Sequence, residues 1–129
     1  MNIERIEGND IEYLINYDKK VVVCKLYNCN TIFWDRVAKY CGDLIDPEYV
    51  IWSRKGHKYA VDELFVGKAK CDDEDEFDKE TGMRIARIRA KKKRSKAVNN
   101  ALAEFISDLQ RDLANLVNYG IHKLPEDEV

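Results

Sequence analysis

Proline and histidine are scarce in this sequence, two of each in 129 residues, the histidines being His57 and His122. So little imidazole leaves small scope for histidine-based acid–base or metal chemistry. Long apolar runs are missing too: nothing approaches the roughly 18 to 20 consecutive apolar residues of a membrane span. There is no P-loop, no dinucleotide-binding glycine pattern and no nucleophile elbow. The four cysteines, Cys24, Cys29, Cys41 and Cys71, include one C-x4-C spacing and no second close pair. Structural zinc sites need tighter paired spacing, so the cysteines read as reduced thiols, with Cys24 and Cys41 as core residues. Met1 to Arg5 lacks the basic-then-apolar build of a signal peptide. These absences predict an intracellular, cytoplasmic protein that is not an enzyme and carries no cofactor and no metal.

What is present is enough for one α+β domain spanning residues 1–129. Apolar residues make up 45% of the chain, which supports a core, and 36% of residues are charged. The net charge of −2 hides strong segregation. Residues 1–70 are balanced, 71–82 carry seven acids and one lysine, 83–97 carry eight bases and no acid, and 98–129 carry six acids and two bases. The surface field around 83–97 is therefore expected to be positive whatever the average.

The first part, residues 1–71, reads mainly as antiparallel sheet. Ile11 to Tyr17, a turn at Asp18-Lys19-Lys20, and the β-branched run Val21 to Leu26 predict a hairpin. Phe33, Trp34, Val37, Ala38 and Cys41 recur at helical spacing and predict a short helix over 31–41, stopped at Gly42. Strands are expected at Tyr49–Trp52 and Tyr59–Val61, around a turn at Gly56. One more is expected over Leu64–Cys71, with Gly67 as a bulge. Residues 78–120 read as two helices with Ser95 the best place for a break, one long bent helix being the alternative. Gly120 and Pro125 are the expected stops, before a flexible tail at 121–129. Leu102, Phe105, Leu109, Leu113 and Leu116 form an apolar stripe that needs a partner surface, which predicts a homo-oligomer.

Three constellations carry chemistry. In the basic segment, Arg84, Arg87, Lys91 and Arg94 share a helix face, which suits phosphates or a merely solvated surface. The acidic run Asp72 to Asp78 lacks the spacing of a calcium loop, and its acids suit the start of a helix, with Asp75 or Asp78 as the cap. Phe77 within it is either a small apolar anchor or a stacking platform for a flat ligand. The loop Trp52 to Tyr59, with Arg54, Lys55 and His57, mixes cations with rings, as a nucleotide site or an ordinary hairpin tip does.

Gly67-Lys68-Ala69-Lys70-Cys71, then Asp75-Glu76-Phe77-Asp78, then Gly82 and Ala86 resemble a pattern in small phage proteins of Gram-positive bacteria. There a strand ending Gly-x-Ala-x-Cys leads through an acidic Asp-x-Phe-Asp loop into an arginine-rich helix. Asp73 departs from it, since proline is common at that place. The plan of sheet followed by C-terminal helices is also similar to that of the Thoeris anti-defence sponge proteins, although helix 31–41 has no place in that plan. The resemblance implies a phage counter-defence protein in the infected host's cytoplasm. It would bind and sequester a cyclic nucleotide immune signal without catalysis, as an oligomer. Phe77, Arg84, Arg87, Lys91, Arg54, Lys55 and His57 are the candidate ligand-binding residues. The alternative is a nucleic-acid-binding or nuclease-inhibiting phage protein that uses the basic helix against phosphates or the acidic run as a DNA mimic.

Overall fold

The computed structural model describes residues 2–41 and 59–127, with side chains from 2–40 and 59–118. Strands β1 (Ile3–Gly8), β2 (Ile11–Asn16) and β3 (Val21–Leu26) form an antiparallel meander. A 3-10 turn at Cys29–Thr31 leads into helix α1 (Ile32–Cys41). Strand β4 (Phe65–Lys70) then pairs antiparallel with β3, giving the order β1-β2-β3-β4. One helix, α2 (Lys79–Asp127), makes up the rest. The fold is α+β, as its sequence predicts.

The expected hairpin is β2–β3, and its turn ends on Lys20 at a φ of 54°. Its period-2 pattern holds in space: Tyr13, Ile15, Val22, Cys24 and Leu26 are buried on the face beneath α2. Strand β1 has no such signal. Ile3 and Ile6 are three apart, so the pleat sends them to opposite faces. Ile6 pairs with Tyr13 on the helix side, and Ile3 with Asn16 on the other.

Four expectations are corrected. Gly67 is not a bulge, because it pairs in unbroken register with Cys24. It serves instead as the point of closest approach between sheet and helix. A Cβ at Gly67 would lie 2.1 Å from the Ala86 carbonyl oxygen and 2.4 Å from the Ala90 nitrogen. Gly82, Ala86 and Ala90, at four-residue steps, form the seam that rests on β3 and β4. Residues 59–61 are not a strand. Tyr59 and Val61 are buried against the two helices, with Phe33, Val37, Val98, Ala101 and Phe105, in a second cluster. The C-terminal region is one helix of 49 residues and not two. Serine is a mild helix former, its neighbours are Arg94 and Lys96, and the buried face carries on from Ala90 to Val98, so nothing at Ser95 favours a break. Neither Gly120 nor Pro125 stops the helix, which takes in most of the expected tail. The predicted strand at 49–52 lies outside the described residues.

The second cluster is built on rings. Tyr59 lies 5.6 Å from Phe33 in a stacked pair, and Phe105 meets both edge-on at 5.3 and 5.7 Å. Each fully buried ring contributes about 1.5–3 kcal/mol from area alone. At its base the Tyr59 hydroxyl donates to Asp108 Oδ2 at 2.5 Å, and Arg111 donates to Oδ1 at 2.6 Å. Burial raises the Tyr59 pKa above its ordinary value, and the bond to Asp108 adds to the rise. Phe65 touches both clusters and joins them.

Two outcomes follow from this packing. Gly67→Ala should destabilise the protein by at least about 2 kcal/mol, because the added methyl meets backbone that cannot rotate away. A urea midpoint equal to wild type would show that α2 does not sit this close to β4. Tyr59→Phe should cost about 1–3 kcal/mol by taking one donor from the buried Asp108 carboxylate. Since the folded phenol holds its proton longer than the unfolded one, stability is full below about pH 10 and falls as pH rises further. The variant should therefore lose less stability than wild type between neutral and strongly alkaline pH. Parallel losses would remove the linkage.

Candidate functional site

Phe77 and the basic residues proposed to join it occupy different places. The loop from Cys71 to Asp78 folds back on the β2–β3 turn: Lys20 Nζ donates to the carbonyls of Asp73 and Asp75 at 3.2 and 2.7 Å. Asp78 is the helix cap. Its Oδ1 accepts from the Glu80 backbone at 3.2 Å and its Oδ2 from the Thr81 hydroxyl at 2.6 Å. The Thr81 bond is the main cause that holds the Asp78 carboxyl below its usual range, and Arg84 adds a smaller effect. Phe77 is half-buried and meets Tyr17 edge-on at 5.8 Å. The Tyr17 hydroxyl donates in turn to Glu4, which also pairs with Lys79 at 3.3 Å. This chain of contacts ties β1, β2 and the start of α2 together, as an anchor does. Phe77 also lines a cleft of about 590 Å³, whose charged walls are mainly the acids Asp72, Asp73, Asp75, Glu76 and Asp78, with Lys70. That field repels phosphate. Neither Arg84, Arg87 nor Lys91 lines it.

The basic segment is divided by the buried seam. Gly82, Ala86 and Ala90 face the sheet, so Arg84, Arg87 and Lys91 run down one flank, all exposed. Arg87 reaches the Tyr13 hydroxyl, where its charge opposes the rise that burial gives that phenol. Lys91 and Arg94 lie close enough to Cys24 to act on its thiol, though burial dominates and pushes the thiol up. Tyr13 itself is buried, so its ring is not open to stack on a ligand. Arg54, Lys55 and His57 lie outside the described residues.

The other flank holds what the sequence reading missed. Among the described strands β4 lies at the sheet's edge, and its outward carbonyls at Val66 and Lys68 are taken by the helix above. Lys93 Nζ donates to Val66 at 2.9 Å, and Arg89 to Lys68 at 2.7 Å. An open edge invites pairing with another strand, and here charged side chains close it. Lys92 and Lys96 stand beside them; Lys68 borders the groove at its backbone, while its place between the helix-facing Gly67 and Ala69 sends its side chain to the other face of the sheet, beside Val21 and Val23. Lys68, Arg89, Lys92, Lys93 and Lys96 line a groove of about 380 Å³, with no acid and no ring in its walls among the described residues. Four of the five belong to the basic segment, but Lys68 comes from a strand more than twenty residues upstream. The signal that could have found the groove is the Gly-x-x-x-Ala-x-x-x-Ala spacing, because it fixes which helix face is buried and hence which cations share a flank.

The groove can bind anions. A carbonyl contact does not neutralise an ammonium or guanidinium group, so the four helix charges still act on the space between them. Its two tethered cations are already held in place, which lowers the ordering cost on binding. Among the described residues no group of His, Cys, Asp or Glu is arranged to hold a metal ion.

Asp78→Ala should lower the denaturation midpoint through loss of the cap. An unchanged denaturation midpoint would show that the cap is not needed.

No helix among the described residues is long and apolar enough to cross a membrane. The chain matches no protein-family model, no curated protein and no solved structure.

Proposed function

We propose that this chain binds phosphodiester ligands without chemistry on them, through the groove between β4 and α2. The observation that carries the reading is the convergence of Arg89, Lys92, Lys93 and Lys96 above the backbone of Lys68, with no acid among the described lining residues. Phosphate oxygens are the ligands such donors suit best. Among the described residues no ring lines the groove to stack on a base. It is thus suited to a nucleic-acid backbone, read by charge and not by sequence. The acidic loop lies toward the start of α2 and orients a long polyanion by repulsion, keeping it toward the groove. In the phage setting implied by the 66–90 pattern, such a protein acts by occupancy: it shields or withholds a nucleic acid.

A second reading is sequestration of a cyclic nucleotide signal. The observation that favours it is size, since about 380 Å³ falls within the range of small-molecule sites. Here a second copy would have to supply the aromatic face, and the protein would work as a homo-oligomer. The ligand would be held away from Phe77, contrary to the sequence expectation.

Fluorescence anisotropy with labelled single-stranded and duplex oligonucleotides tests the first reading. Binding should weaken steeply with salt, and Lys92→Glu with Lys96→Glu should lower the logarithmic salt slope on duplex by about 2. Arg84→Glu with Lys91→Glu, on the opposite flank, should have the smaller effect. A salt-independent response, or loss confined to the Arg84 flank, would refute the groove. Titration calorimetry against cyclic di- and trinucleotides separates the second reading: heat there, with no oligonucleotide binding, would make it the correct one.

A further inference from the structure

The far half of α2 carries an apolar seam that the other described residues leave uncovered. Phe105 and the half-buried Leu102 and Leu109 pack into the second cluster. Beyond Leu109 the chain no longer shelters the helix: every residue from Gln110 to Asn118 is exposed. Yet Ile106, Leu113, Leu116 and Val117 are 52%, 58%, 65% and 52% exposed. Leu102, Ile106, Leu109, Leu113 and Leu116 advance by four, three, four and three. That is the 3.5-residue period with which one helix packs along another, and it differs from the four-residue steps that fit this helix to its own sheet.

We propose that this seam pairs with the same seam of a second copy, antiparallel, to form a homodimer. The seam is complementary to itself when reversed. With the two-fold axis beside position 111, Ile106 falls opposite Leu116 of the second copy and Leu109 opposite its Leu113. Charge selects the direction. The helix is basic over 83–97 and acidic overall beyond it. Parallel pairing sets two segments of eight bases side by side, with no acid among them. Antiparallel pairing separates those segments and brings each one's end, at Lys96, alongside the positions of Glu126 and Asp127 in the other copy. It also places the two sheets at opposite ends of the pair, so that neither blocks the seam. The proposal does not rest on the phosphate chemistry above, although Lys96 belongs both to the groove and to the end of the paired region.

Sedimentation equilibrium over a range of micromolar concentrations is the test. The wild-type chain should give roughly 30 kDa, twice its 15.1 kDa, and dissociate on dilution. Leu113→Glu with Leu116→Glu should be monomeric at every concentration. Both side chains are exposed in the single chain, so its circular dichroism should remain that of a folded protein. Val23→Lys, on the open face of the sheet, should leave the dimer intact. Small-angle X-ray scattering should show an elongated particle with mass at both ends. A monomeric wild type, a dimer that survives the double substitution, a dimer lost in Val23→Lys, or a particle with its mass at one end would each overturn the proposal. Oligonucleotide binding by the monomeric variant reads the groove separately, so the two proposals can fail independently.

Discussion

The fold depends on how closely one helix can lie on one strand. At Gly67 the backbones of β4 and α2 approach so nearly that a methyl group would strike the Ala86 carbonyl. A helix held at that distance has little freedom to roll. Its Gly82, Ala86 and Ala90 face is fixed downward, and the side chains on either side are fixed with it. Arg89 and Lys93 thereby reach over the sheet's edge, while Arg87 leans toward Tyr13 of β2 and Lys91 lies near Cys24 of β3. The partition of the positive charge follows from a contact between uncharged residues.

Electrostatics then places two fields of opposite sign near each other. The acidic loop is held by Lys20 through its backbone carbonyls, which leaves most of its carboxylates facing water. The cationic groove is held by carbonyls of β4. In both cases uncharged backbone oxygens fix a charged segment without cancelling it. Exposed ion pairs would have fixed these segments too, but at the expense of the field itself.

Much of the fold is legible in the residues. The β2–β3 hairpin shows as alternation with β-branched side chains, and α1 as a 3.6-residue period through Phe33 and Val37. Asp78 is readable as a cap because an acid precedes a helix with Thr81 three places on. Strand β1 is not legible, since Ile3 and Ile6 match neither period and gain their places only by pairing with β2. Tyr59 and Val61 carry strand-like residues, but the rings of Phe33 and Phe105 provide a better environment than a strand partner would. Gly67 shows the ambiguity of glycine within a strand, where a bulge and a close approach look alike. The site was the least legible part. The basic segment itself is plain, but its division depends on the helix's roll, and Lys68 joins it only across the sheet–helix boundary. Phe77, alone among acids, invites a ligand reading that its contact with Tyr17 and its acidic surroundings do not favour.

The two apolar clusters share one uninterrupted helix, and Phe65 belongs to both. Neither half is therefore a separate folding unit. Loosening the rings around Phe105 removes support from the same rod that clamps β4. The backbone amides of β3 and of the central turns of α2 should therefore exchange with solvent at a common, slow rate set by whole-molecule melting, while fraying is confined to the two ends.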